Sequence, residues 1–166
     1  MAAKKSLADY NCSLARAVDI VGDRWALLII RDALLGADSF GEFQASLGIA
    51  KNILADRLER LSIEGVLERT LVDGRPRYCL TRKGKGLVPA LGALMQWGDA
   101  WLADDNPPIL ILGPDGEPVQ PVQLVSGAGD LLSDVKFVAG PGADAQTRIF
   151  LKMLAEKQLS PTAKRS

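Results

Sequence analysis

The stretch "SFGEFQASLGIAKNILADRLERLSIEGVLERTLVDGRPRYCLT", residues 39–81, runs through four local patterns in succession, and their order decides the fold. Ser39 opens a short helical run with Phe40 and Phe43 on one side and Leu47 at its close. Gly48 then punctuates the chain. A second helical run, about Ala50 to Glu64, follows, with its inward stripe expected at Ile53, Leu54, Leu58 and Leu61. Lys51, Asn52, Ala55, Asp56, Glu59 and Arg60 fall on the outer face. Two short helices around a glycine turn, the second with a polar outer face, describe a helix-turn-helix. Gly65 ends that helix, "VLERTLV" has the composition of a strand, "DGRP" is turn chemistry, and "RYCLT" returns. A helix-turn-helix followed directly by a hairpin is a winged helix, and Arg75 and Arg77 would stand at the tip of its wing.

Upstream, "CSLARAVDIVG" (12–22) places Leu14, Ala17, Val18 and Val21 at helical spacing. Asp23 is a candidate N-cap for "RWALLIIRDALLG", a run so apolar that it reads as the central core helix. Downstream, Thr81 is expected to cap one long helix reaching about Leu102. Its stripe, which includes Leu87, Leu91, Leu94, Met95 and Trp101, is wider than one packing partner needs. It has two uses: closing the domain core and, with Leu14 and Val18, forming the interface of a homodimer.

"DDNPP" (104–108) marks the expected boundary. It separates a DNA-binding and dimerisation domain, 7–103, from an extension, 107–159, with a frayed tail at 160–166. The extension reads as a β-hairpin over "EPVQPVQLV" and a helix from about Ala143 to Leu159 with Ile149, Phe150, Met153 and Leu154 on one side. The fold class is therefore α+β, a winged helix-turn-helix domain with a small α/β C-terminal extension.

Charge supports a local rather than a global reading. Lys plus Arg equals Asp plus Glu at 20 each, yet residues 51–85 hold nine basic side chains against five acidic ones. A basic patch on a neutral chain is compatible with nucleic acid. The absence of histidine removes Ser-His-Asp and Cys-His chemistry, imidazole bases and most catalytic zinc sites, so an enzyme is the least favoured class. Two cysteines cannot build a secreted disulfide framework, and no apolar leader is visible, so a reducing cytoplasm is expected. The longest apolar run, Trp25 to Ile30, is too short to span a membrane.

From Cys12 to Leu102 the chain resembles the HxlR-type winged-helix transcriptional regulators. The resemblance lies in "CSLARAVDIVGDRWALLIIRDALLG", "SFGEFQASLGIAKNILADRLERLSIEGVLER" and "YCLTRKGKGLVPALGALMQWGDAWL". It implies a homodimeric, sequence-specific DNA-binding protein of the bacterial cytoplasm that regulates a neighbouring gene, with an inverted-repeat operator as its partner. Two positions depart from the family pattern. Ile49-Ala50 stands where Ile-Ser is common, so a capping hydroxyl is missing, and Cys12-Ser13 replaces a frequent Cys-Pro. Some relatives carry a zinc-ribbon-like extension. Here the expected ligand positions fall at Asp115, Val125 and Ala128, and without Cys or His the segment cannot supply thiolate or imidazole ligands. No metal and no cofactor is expected.

The candidate DNA contacts are Lys51, Asn52, Ala55, Asp56 and Arg60 on the recognition helix, Arg75 and Arg77 on the wing, and Lys83 after it. Asn pairs with adenine and Lys with guanine or phosphate. Asp56 either accepts from cytosine or pairs with Arg60 at i,i+4. Lys83 and Lys85 either meet the backbone or solubilise a helix start, while Arg57 and Arg24 with Trp25 read as scaffold. Cys12 is either a small apolar filler or a redox sensor, and Cys79 reads as structural. Two further readings stay open: a ligand-sensing regulator and a winged-helix protein-interaction module.

Overall fold

The computed structural model describes residues 6–103 and 106–159. After a single turn at Leu7–Asp9 come helices α1 (Ser13–Val21), α2 (Arg24–Leu34), α3 (Phe40–Leu47) and α4 (Lys51–Ile63). Strands β1 (Leu67–Val72) and β2 (Arg75–Leu80) follow, then α5 (Arg82–Lys85), α6 (Val88–Leu102) and, much later, α7 (Ala145–Leu159).

Asp23 starts α2 by accepting the Trp25 N–H at 2.9 Å. The helix turns Ala26, Ile29 and Ile30 into the core, where they meet Phe43, Leu54, Leu58, Leu61 and Leu67. Burial of such a side chain contributes about 1.5–3 kcal/mol, so this cluster is what holds α2, α3, α4 and the hairpin in one layer. Phe43 and Tyr78 meet edge to face at 6.4 Å, which joins the hairpin root to α3.

Short-range chemistry shapes the helix-turn-helix. Ser39 Oγ accepts the Glu42 N–H at 3.3 Å, while the Glu42 carboxylate accepts from the Ser39 N–H at 2.9 Å, a reciprocal capping box. Gly48 ends α3 at φ +61°, a left-handed conformation that costs residues with a Cβ. Ile49 is then buried and Ala50 takes the N-cap of α4 with no side-chain bond. Along α4, Leu54, Leu58 and Leu61 are buried as expected, but Ile53 is 38% exposed. Its row on the helix lies about 100° from that of Leu54, at the edge of the stripe rather than inside it.

The wing differs from the sequence expectation. Only Asp73 and Gly74 form its turn, at φ 51° and 72°, the pair of left-handed residues that matches the twist of two antiparallel strands. Arg75 and Pro76 are therefore strand residues, opposite Val72 and Leu71. Proline is tolerated because a two-stranded sheet has only edge strands.

The single helix expected from Thr81 to Leu102 is two helices. Thr81 caps α5 alone, accepting the Gly84 N–H at 3.1 Å. Pro89 lacks an N–H and sits in the first turn of α6, where none is needed, so a new helix starts there.

The described residues fall into two compact units. Residues 17–122 form one compact unit, because the chain beyond Pro108 packs back on α6. Gln96 clamps it, accepting the Val122 N–H at 2.7 Å and donating to the Gln120 carbonyl at 3.4 Å. Residues 6–16 and 123–159 form a second unit. The hairpin expected over 117–125 is absent: among the described residues the extension holds two isolated bridges, Leu112 to Pro118 and Val125 to Leu131. Pro118 and Pro121 cannot donate to a ladder. Of the positions expected to correspond to ribbon ligands, Asp115 accepts the Glu117 N–H and Val125 pairs with Leu131. In α7 the stripe of Ile149, Phe150, Met153 and Leu154 is exposed rather than packed. The tail 160–166 lies outside the described residues.

Candidate nucleic-acid interface

Helix α4 presents Lys51, Asn52, Ala55 and Asp56 to solvent at its N-terminal end. Lys51 and Asn52 have no hydrogen bond or ion pair among the described residues, so their donors and acceptors are available to base edges. Asp56 pairs with Arg57, not with Arg60. Arg57 is the structural residue expected, reaching back to Asp23 at 3.0 Å. The hydrogen bond from Arg57 holds the Asp23 carboxyl below its ordinary value, and the same bond raises the guanidinium.

Three of the basic candidates are engaged inside the protein. Arg60 donates to the Asp19 backbone carbonyl at 2.7 Å and to its carboxylate at 3.2 Å, fastening α4 to α1. Arg77 donates to Asp38 at 2.5 Å and is half-buried on β2. Lys83 donates to the Glu64 carbonyl at 2.5 Å, at the C-terminal end of α4. Arg75 is different: it is exposed beside the wing tip with no partner among the described residues. So are Arg69 on β1 and Arg82 and Lys85 on α5. Sequence alone does not single out Arg69, because its exposure depends on the hairpin register, which sets it opposite Tyr78.

The candidate dimer residues divide as well. Leu14, Val18, Leu94 and Trp101 are exposed, Trp101 at 74%, and Met95 is half-buried. Leu91 is only 8% exposed and Leu87 packs on the core, so both are already used within the protomer. Cys12 is an exposed free thiol. With Tyr10, Arg16, Phe137 and Phe150 it lines a cavity of about 780 Å³ within the second unit. Cys79, expected to be structural, is exposed on β2 opposite Glu68.

The HxlR-like helix-turn-helix family matches residues 20–106. The uncharacterized HTH-type transcriptional regulator Rv3095 of Mycobacterium tuberculosis is 36% identical over 141 residues, 81% of this chain and 89% of that protein. The uncharacterized HTH-type transcriptional regulator YvaP of Bacillus subtilis is 38% identical over 91 residues, 52% of this chain and 84% of that one. The crystal structure of PA1607 superposes with a TM-score of 0.76 at 39% identity, covering 82% of this chain and 99% of that chain. PA1374 from Pseudomonas aeruginosa follows at 0.61 and 34%, covering 84% and 99%. With its capping box, left-handed glycine turn, recognition helix and wing in this order, the chain belongs to the HxlR-like helix-turn-helix family.

Proposed function

We propose that this regulator is a cytoplasmic homodimeric repressor that reads an inverted-repeat operator with α4 and grips phosphate with the wing. The observation that carries the reading is the unengaged pair Lys51 and Asn52 at the start of α4, with Arg75 equally free on the wing. Base-edge contacts discriminate between sequences, whereas phosphate contacts raise affinity for all of them. Arg69, Arg82 and Lys85 join the phosphate group of candidates; Arg60, Arg77 and Lys83 leave it. Leu14 and Val18 of α1 and Leu94 and Trp101 of α6 supply the dimer contact.

The test begins with a footprint upstream of the regulator's own and neighbouring genes. Lys51→Ala and Asn52→Ala should each cost about 1–3 kcal/mol on the protected sequence and much less on scrambled duplex. Equal losses on both duplexes would refute the assignment. Light scattering should give about twice the 17.8 kDa chain mass. A second reading, a thiol switch at Cys12, is favoured by its exposure and by Arg16 on the same cavity wall. Unchanged diamide-driven release in Cys12→Ser would dismiss it.

A further inference from the structure

A second cavity, of about 360 Å³, opens between α2 and α6 where the chain returns at Pro108 and Ile109. Its walls are apolar, with Leu27 and Leu28 from α2 and Leu94 and Met95 from α6. Gly98 leaves part of the wall bare: apart from its chain neighbours and the helix's own backbone, no atom of the described residues lies within 4 Å of where a Cβ would stand. A volume near 360 Å³ is at the small end of ligand sites, room for a single ring or one alkyl chain.

Two charged residues line the cavity, Arg31 and Asp99, and they are not equivalent. Arg31 is committed to Asp32, whose Oδ1 it contacts through Nε at 2.9 Å and Nη2 at 2.7 Å. The Asp32 side chain is 4% exposed, and its Oδ2 has no hydrogen-bond partner among the described residues. Asp99 is half-buried and has neither a hydrogen bond nor an ion pair among them. Arg31 thus has its carboxylate partner in Asp32, while Asp99 has none among the described residues. A carboxylate removed from part of its water without a partner is unfavourable, and a cation beside it relieves that cost.

We propose that this cavity binds an organic cation with an apolar body, an amphiphilic ammonium, whose head lies against Asp99 and whose body lies on Leu27, Leu28 and Met95. An apolar carboxylate of the same length is excluded by charge, since Arg31 is already matched and Asp99 repels it. The site is independent of the DNA reading, because it is assayed on the free protein. One of its walls is α2, whose N-cap Asp23 holds Arg57 of α4.

The experiment is a calorimetric titration of the full chain with decyltrimethylammonium, with decanoate as its anionic counterpart. The cation should bind saturably and decanoate should not. Asp99→Asn should weaken cation binding about tenfold, the weight of one partly desolvated charge pair. Gly98→Met, which fills the bare wall, should abolish it, and light scattering should show both variants with the mass of the unaltered protein. Absence of saturable cation binding, equal binding of decanoate, or an Asp99→Asn affinity equal to that of the parent would each overturn the proposal. A changed mass in either variant would overturn it too, by showing that the cavity is a contact between copies.

Discussion

Arg57 on the recognition helix stands against Asp23, the residue that caps α2. Its Nη2 donates to Oδ2 at 3.2 Å, and its Nε lies 3.0 Å from Oδ1, off the line of a good hydrogen bond. Asp23 thus has two tasks, accepting the Trp25 N–H and holding α4. Asp23→Ala loses both and should cost about 1–2 kcal/mol, most of it from the cap, because the pair is partly exposed. Asp23→Asn keeps the cap and should cost less. Urea unfolding of the two variants checks the order, and equal costs would place all the energy in the ion pair.

The two wing arginines should fail differently. Arg75→Ala should leave stability within about 0.5 kcal/mol and reduce the slope of log K against log salt by about 0.9, the share of one phosphate no longer neutralised. Arg77→Ala should leave that slope unchanged and lower stability by about 0.5–1 kcal/mol, since its partner is Asp38 rather than phosphate. Identical salt slopes for the two variants would show that Arg77 leaves Asp38 when DNA binds.

Ala50 offers a gain. It occupies the N-cap of α4 with φ −61° and ψ 138° and no side-chain bond. Ala50→Ser supplies the missing acceptor for a free helix N–H and should stabilise the protein by about 1 kcal/mol, a rise in Tm of ~4 °C. A scan showing no rise would mean that the hydroxyl does not reach the first turn.

Acid should act through Glu42. The Asp38 N–H, then the Ser39 hydroxyl and N–H, lower its carboxyl from 4.5 to about 2. A depressed folded-state value stabilises above the unfolded value, so this contribution is complete above about pH 4.5 and fades as pH falls toward 2. Glu42→Gln should therefore narrow its stability gap from the parent across that window. A gap that stays constant from about pH 5 to about pH 2.5 would show that the capping box does not need the charge.

The parts of the fold legible in the sequence are those decided within a few residues. Ser39 with Glu42, Gly48, and Asp73 with Gly74 each specify a cap or a turn from local chemistry, and the hydrophobic period did the rest for Leu54, Leu58 and Leu61. Pro89 was equally legible as a helix start, but the apolar stripe running past it concealed the break. The candidate site was less legible. Arg60, Arg77 and Lys83 look like free cations in one dimension, and their partners Asp19, Asp38 and Glu64 lie 41, 39 and 19 residues away. Only the folded chain brings those groups together. Leu91 is likewise buried in the protomer's own core, and a single apolar stripe in sequence does not separate such a position from an exposed one.

In mechanical terms the wing is a cantilever. Its root is clamped where Leu67 and Tyr78 enter the core, where the Tyr78 N–H donates to the Asp38 carbonyl at 2.8 Å, and where Thr81 Oγ1 donates to the Gly65 carbonyl at 2.6 Å. Beyond Arg77 the described hydrogen bonds run between the two strands. A beam fixed at one end deflects most at the other, so amide motion should grow from Tyr78 toward Asp73 and Gly74. A load taken up at Arg75 passes down the hairpin to Asp38, which immediately precedes the Ser39 cap of α3. A force applied at the wing tip would thus reach the first helix of the helix-turn-helix before the second.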